Sequence, residues 1–558
     1  MRGDNPVPRN TQPLSNVDAA WLGMDDPTNL MMITGVMTFK KPLNRDHLMA
    51  VLEHRWLSFD RFRQRLVRPT MPSTKPYWET DPYFNLDSHF HHIALPQPGG
   101  QPELQQMVSD LMSTPLDFSK PLWQFHLVEN YGQGSAIIAR MHHSIADGLA
   151  LIYVLLSLTD MTPDAPWPEP LPVEEEDEDG GLLGGTLGSL FRQSRTAVNA
   201  AGSLSGRAVR GSWSTIRNPN RALDLMQSGA DVSYATSRLF LRSDDPQTPF
   251  KGQLGSMKRG AWSRPLSLHD IKRIKNGTRT TVNDVLVSAM TGALRSYMLE
   301  QRETPVDFRA TVPVNMRTPE EMGELGNKFG LVFLSLPVSI ADPLDRLAEV
   351  HLRMEELKRS SEAGVILAAL NVVGLSVNQI QDLVVAILAK KATAVLTNVP
   401  GPPIPLFLAG REIADLMFWV PQAGRLGIGI SILSYAGKVY MGVATDAKLV
   451  RNPDRVIEHF YAELDLLLES IQSTPQPAKS AAKGVSPAST TVDDLTQIEG
   501  VSKDTAELLN KLGIVNFKQL GQSDGTTLRE KLKDAGSPDA NADPANWPAQ
   551  ARYLSRMK

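Results

Sequence analysis

Two breaks in composition divide this chain before any motif is read. Between Pro163 and Gly185 the apolar runs give way to prolines, an acidic run of Glu174, Glu175, Glu176, Asp177, Glu178 and Asp179, and paired glycines. Such a stretch has little to bury and reads as an exposed linker. From about Ser473 to Thr491 the residues are rich in Pro, Ala, Ser and Lys, which reads as a second, flexible linker. The chain has 558 residues, several times the roughly 100–200 of an ordinary domain, so the breaks leave two large lobes of similar size and a small tail. The expected organisation is a first lobe over 1–162, a linker and crossover over 163–253, a second lobe over 254–472, a linker over 473–491 and a separate all-α module over 492–558.

Both lobes read as α/β. From Val17 to about Leu158 short apolar runs alternate with helical patterns and turn signals, and the second lobe carries strand-like runs at Leu331–Val338, Thr393–Asn398, Gly427–Leu433 and Val439–Val443. Hydrophobic residues make up 42% and charged residues 21%, enough to build substantial cores and to exclude wholesale disorder. With 57 Lys+Arg against 61 Asp+Glu, a formal charge of −4, no global positive field draws in nucleic acid or anionic lipid. The absence of cysteine removes disulfides, thiolate metal sites, iron–sulfur clusters and cysteine nucleophiles.

Two segments bear on membranes. Ala363 to Gln381 carries no charge, yet Asn371, Ser376, Asn378, Gln379 and Gln381 would lose their partners in lipid, so it reads as a buried or interfacial helix. From Gly180 to Leu223 there is no acidic residue, while Arg192, Arg195, Arg207, Arg210, Arg217 and Arg221 are interspersed with Leu182, Leu183, Leu187, Leu190, Phe191, Val198 and Trp213. This basic amphipathic crossover reads either as a connector packed on one lobe or as a membrane-surface or lipid-droplet contact. The first residues lack the apolar stretch of a signal peptide, so the expected location is cytoplasmic.

The strongest local signal is Arg140-Met141-His142-His143-Ser144-Ile145-Ala146-Asp147-Gly148. Ser135 to Met141 reads as a strand and Leu149 to Leu158 as a helix, which puts the histidines at a strand end, where α/β folds commonly build sites. Adjacent residues on extended backbone point to opposite sides, and there is no helical pair of ligands, so a metal site fits poorly. A buried structural histidine beside a turn aspartate is one reading. The other is a general base, which needs a single exposed imidazole with one ring nitrogen toward the substrate and the other held in a fixed tautomer. Asp147 then serves as an architectural brace, turned inward against an arginine, and Gly148 accommodates the backbone.

His142-His143-Ser144-Ile145-Ala146-Asp147-Gly148 matches the HHxxxDG motif of CoA-dependent acyltransferases and peptide-synthetase condensation domains. The rest of the chain resembles the bacterial wax ester synthase/acyl-CoA:diacylglycerol acyltransferase family over roughly residues 12–470. The stretches that carry the resemblance are Leu14-Ser15-Asn16-Val17-Asp18, Pro121-Leu122-Trp123, Asn283-Asp284-Val285-Leu286, Pro313-Val314-Asn315-Met316-Arg317, Gly326-Asn327 and Thr397-Asn398-Val399-Pro400-Gly401-Pro402. Thr397 stands where the family usually has serine, which keeps the hydroxyl. The crossover and the tail fall outside the pattern.

The resemblance implies two chloramphenicol-acetyltransferase-like lobes with a channel between them and His143 facing it. Acyl-CoA would enter as co-substrate from one side, with no other cofactor, and a fatty alcohol or diacylglycerol from the other. It implies direct transfer, with His143 taking the hydroxyl proton and returning it to the departing sulfur. No Gly-x-Ser-x-Gly elbow is present, and Ser144 is expected to point away from the reaction. Asn283 is a candidate oxyanion donor, with a helix N-cap as its competing role. Asn315 and Arg317 are candidates to brace the site or meet CoA phosphates, and Asn398 is a candidate contact or a turn residue. His142 and Gly148 complete the expected binding set. Val365–Leu375 and Val384–Leu396 read as helical, with aliphatic surface suited to an acyl tunnel or to plain core packing.

Asp494 to Leu509, followed by Leu512-Gly513-Ile514, resembles a helix-hairpin-helix module. Ser502 stands where nucleic-acid-binding members carry a second glycine, and Asp493 to Lys558 holds ten acidic and nine basic residues. A DNA clamp would need a positive surface, so a role in protein interaction or oligomerisation is expected. The rivals for the main lobes are a condensation-type synthase using carrier-protein thioesters and a non-catalytic lipid-surface protein.

Overall fold

The computed structural model describes residues 11–69, 75–167, 242–317, 325–358, 390–422, 426–473, 493–498 and 501–523, together with Leu528, Leu532, Trp547 and Ala551. The crossover, the stretch 359–389 and the linker 474–492 lie outside the described residues. Expectations placed on them, the interfacial helix at Ala363–Gln381 included, lie outside as well. The chain parts into two units, Met1–Thr474 and Pro475–Lys558.

The first unit is organised around the strand Gly134–His142, buried at every position. Its run of Ala136, Ile137, Ile138 and Ala139 lacks alternation because both faces of a central strand meet apolar neighbours. The sheet order is Asp415–Trp419, Met32–Phe39, Gly134–His142, Trp123–Tyr131, Phe90–Ala94, antiparallel except for the last pair. Close approach forces a glycine at 134, since a Cβ there would lie 1.8 Å from the Phe39 carbonyl oxygen. Pairing with Met32–Phe39 ends at Met32 opposite His142, and the next amide, that of His143, donates to Met31 O at 2.7 Å. The register thus carries the chain to the end of the sheet and leaves His143 just beyond it.

A second sheet runs in the order Phe329–Leu336, Phe308–Asn315, Ala394–Pro400, Ile428–Tyr435, Lys438–Asp446, Lys258–Trp262. The helices Val282–Glu300, Pro343–Lys358 and Asp454–Ser473 pack together beside it. The strand-like runs of the second lobe are all strands here. The helical reading of Val384–Leu396 fails at its end, where Ala394–Leu396 pair in parallel with Ile428–Ile430. Short aliphatic runs suit either state, and pairing on both sides decided this one.

The sheets do not sort by sequence half as the division into lobes 1–162 and 254–472 expects. Asp415–Trp419, from the second half, forms an edge of the first sheet through Met417↔Val36 and its neighbours. Conversely Val17, Trp21 and Met31 belong to the core of the second sheet, with Val285, Leu334 and Ile430. Among the described residues no helix is long and apolar enough to cross a membrane.

In the second unit Leu495, Ile498, Leu509, Phe517, Leu520, Leu532 and Trp547 form a separate small core. Ser502 caps the helix Lys503–Lys511 by accepting from Thr505 N at 3.3 Å, which gives its hydroxyl a structural task. Gly513, at φ +83°, ends that turn and lets Ile514 N reach Leu509 O.

One buried group makes the first sheet sensitive to acid. His126 lies against His91, ring centroids 4.8 Å apart, and burial together with the Arg140 charge pushes it down to about 3 from the ordinary 6.5. As pH falls from about 6.5 toward 3, the unfolded chain binds a proton that the folded chain refuses, so stability declines through that window. His126→Phe keeps a ring and removes the titration. Its acid-unfolding midpoint, followed by tryptophan fluorescence, is expected at lower pH than that of the parent chain.

Candidate active site

The turn after the central strand is built by Asp147. Its backbone is extended (φ −82°, ψ 172°), and its Oδ1 accepts from Ala150 N at 3.0 Å, capping the helix Gly148–Leu158. Oδ2 accepts from the Arg317 guanidinium and from Lys328 N at 3.0 Å. Arg317 also donates through Nη2 to Gly326 O at 2.6 Å, and Asp147 N donates to that same carbonyl at 3.2 Å. Gly326 sits at φ +104°, a conformation that favours glycine. The arginine against which Asp147 turns inward is therefore Arg317. Asn315 Oδ1 accepts from Arg317 N at 3.0 Å and shapes the approach of that arginine.

Gly148 does not have the backbone role expected of it. Its φ is not positive, and among the described residues nothing lies within 4 Å of where a Cβ would stand.

The two histidines point to different environments. His142 is buried; its Nδ1 accepts from Ser144 N at 3.1 Å and lies 2.7 Å from Ser144 Oγ, which fixes the proton on Nε2. Nε2 lies 3.6 Å from Asp25 Oδ1. Ser144 has no exposed surface, and its hydroxyl is held by its neighbour's ring. His142 thus ties the turn to itself.

His143 faces the second sheet. Its ring stacks on Trp21, centroids 4.4 Å apart at 21°, and Phe329 flanks it at 5.7 Å. Its carbonyl accepts from Asn327 Nδ2 at 2.7 Å, and the same amide donates to Asp18 Oδ1 at 2.7 Å. The residue is 5% exposed, not the open imidazole that the turn alone had led us to expect, because its covering rings come from distant segments. Burial pushes it down to about 4, against the opposing pull of the Asp147 carboxylate. Nδ1 has no hydrogen-bond partner among the described residues. The imidazole is neutral at ordinary pH and can accept a proton.

Among the described residues Asn283 is hydrogen-bonded to a different partner from those of the histidine turn. The helix Val282–Glu300 is capped by Thr281, which forms a capping box with Asp284, so Asn283 is not the cap. Its Oδ1 instead accepts from Asn398 Nδ2 at 2.6 Å, joining the helix start to the strand Ala394–Pro400. The bonds that tie His143 and Asp147 to the second half go to Asn327, Gly326, Lys328 and Arg317.

Sequence reasoning missed the roles of Asp18, Trp21 and Asn327. Asp18 and Trp21 are three residues apart on the helix Asn16–Gly23 and so share a face, with Ser15 as the cap. Beside them a polar cavity of about 260 Å³ is lined by Asp18, Arg61, Trp78, Arg317, Asn327 and Lys328 among others. Burial lifts the Asp18 carboxyl above its ordinary value and depresses Arg61 to about 10.

The model of the wax ester synthase/diacylglycerol acyltransferase catalytic domain matches residues 14–286, and that of the WS/DGAT C-terminal domain matches 325–468. The RS2/RL21/YNQ2 HHH domain model matches 495–555. A probable diacylglycerol O-acyltransferase of Mycobacterium tuberculosis is 27% identical over 447 residues, covering 78% of this chain and 91% of its own length. A putative one from the same species is 26% identical over 491 residues, covering 83% and 91%. Among solved structures, the wax ester synthase/diacylglycerol acyltransferase of Marinobacter aquaeolei superposes with a TM-score of 0.59 at 23% identity, covering 83% of this chain and 100% of that one. The first condensation domain of the calcium-dependent antibiotic synthetase reaches 0.52 at 14% identity, covering 83% and 97%. With both of its domain models matched in order, around a histidine turn bolted to the second half by Asp147 and Arg317, the chain belongs to the wax ester synthase/diacylglycerol acyltransferase family.

Proposed function

We propose that this protein is an acyl-CoA-dependent O-acyltransferase that moves a long-chain acyl group onto the hydroxyl of a fatty alcohol or diacylglycerol. The observation that carries the reading is His143, a neutral imidazole held where the two halves meet, with a ring nitrogen uncommitted among the described residues. Membership of the family, and the names of its mycobacterial relatives, support the substrate class.

The step is a direct displacement. A His143 ring nitrogen accepts the alcohol proton as the oxygen bonds to the thioester carbonyl carbon. The tetrahedral intermediate then expels the CoA sulfur, which takes the proton from the imidazolium, leaving ester and free thiol. A thiol, with a pKa near 8.5, holds a proton far better than an imidazole depressed to about 4, so the return is downhill. An acyl-serine route has only Ser144 in this turn, and Ser144 is sealed against His142. Asn283, braced by Asn398, remains our candidate for the oxyanion, and Arg317 and Asn315 for holding the turn against bound CoA. A carrier-protein thioester as donor is the other reading that the condensation-type fold allows.

We place the enzyme on the cytoplasmic face of a membrane or on lipid droplets, with the basic crossover as its contact. The near balance of charge in the tail favours a protein partner or self-association over nucleic acid. Vesicle flotation of the full chain against one lacking residues 182–214 tests the crossover, and equal flotation removes the lipid contact.

In an assay with palmitoyl-CoA and either hexadecanol or diacylglycerol, His143→Ala is expected to lose about 10²–10⁴-fold in rate while staying folded. Ser144→Ala should retain ester synthesis with no acyl-protein trapped; full activity of His143→Ala would overturn the mechanism. Because the base is depressed, kcat/KM should hold level as pH drops through 6.5 and fall only near pH 4. Asp147→Ala removes both the cap of the helix Gly148–Leu158 and a buried ion pair with Arg317, so both activity and the thermal midpoint should drop. Asp147→Asn, which still caps the helix, should lose less stability.

A further inference from the structure

The helix Asn16–Gly23 grips His143 at two places. Trp21, 3% exposed, lays its indole on the imidazole at 4.4 Å and 21°. One turn earlier, Asp18 shares the Asn327 amide with the His143 carbonyl, both at 2.7 Å. Ring and backbone of the same residue are thus referred to one short helix, itself capped by Ser15. Phe329 wedges against both rings, 5.6 Å from Trp21 and 5.7 Å from His143.

The chemistry assigned to His143 places a positive charge on this ring while it holds the alcohol proton, in a position nearly stripped of water. Among the described residues, the charged and titratable groups near it include Asp147 and His142 from its own turn and Asp25 behind His142, with Arg317 on Asp147 and, on the helix side, Asp18 coupled to Arg61. Asp147 is already engaged by Arg317, Lys328 N and Ala150 N, and Asp18 by Asn327. What lies directly on the face of the ring is an indole, whose π electrons attract a cation stacked on them more strongly than those of Tyr or Phe.

Resting on the reading of His143 as the base, we propose that Trp21 is a positioning residue for acyl transfer, whose indole fixes the plane of the imidazole and stabilises the charge it carries while protonated. Packing alone would make the shape of Trp21 important. Charge stabilisation makes its electron density important as well, and the two are separable.

The test is site-specific replacement of Trp21 in the full chain by mono-, di- and trifluorotryptophan, which drain the π face while nearly preserving shape. With palmitoyl-CoA and hexadecanol or diacylglycerol, kcat is expected to fall stepwise, to about a tenth across the series, with the KM for palmitoyl-CoA unchanged. Trp21→Phe should retain more of kcat than Trp21→Leu at matched thermal midpoints. A flat kcat across the fluorinated series overturns the proposal. If the parent chain makes no ester from either acceptor, the reading of the enzyme fails, and the same series is then read by NMR of labelled histidine, with His143 assigned by its loss in His143→Ala. A stepwise fall in the His143 titration midpoint supports the role of Trp21, and an unmoved midpoint overturns it.

Discussion

The contact between Asp147 and Arg317, residues 170 positions apart, is the one on which the rest of the site depends. Both side chains are almost wholly withdrawn from water, at 6% and 2% exposure. Desolvating two charges offsets most of what their attraction contributes, so such a pair is a poor source of net stability. Its value here is placement. The same carboxylate caps the helix Gly148–Leu158, accepts Lys328 N, and meets an arginine that also holds Gly326 O. An isolated bridge of Ala146 with Gly326 runs alongside. Together with the Asn327 bond to the His143 carbonyl, this knot fixes the turn that presents His143 against the second half.

The environment of His143 resolves an apparent conflict between burial and base strength. An imidazole made a weaker base by its surroundings is less able to abstract a proton outright, yet the transfer we propose asks it to hold the proton only until sulfur leaves. Depression also keeps the ring neutral over the physiological range, so no fraction of the enzyme is lost to protonation before substrate arrives. Trp21 and Phe329 on the ring, and Asn327 on its carbonyl, remove freedom that a residue just past a strand end would otherwise have.

Local pattern was enough for the strand, turn and helix around the histidines, since the apolar run Ala136–Ala139 and the Asp147 cap are both properties of neighbouring residues. It was equally enough for Phe329–Leu336 and Ile428–Tyr435, each a short apolar run with the length of a buried strand. Asn283 was misjudged as a possible cap although the true box, Thr281 with Asp284 three residues on, stood in the sequence. The cover over His143 could not be read at all. Trp21 comes from one stretch of the unit and Asn327 and Phe329 from another far along the chain, and no periodicity within either stretch encodes which ring they will meet. The family resemblance located those stretches without saying what they touch.

The strand Asp415–Trp419 has a consequence for how the chain is made. The edge of Met32–Phe39 that it covers pairs, from Thr34 to Thr38, with residues synthesised long afterwards. Throughout that interval on the ribosome, the nascent first half carries an open sheet margin able to pair with any other extended polypeptide. Folding of the N-terminal region is therefore finished only when the C-terminal region closes it. An early stop codon would release a fragment prone to aggregate, not a smaller working domain.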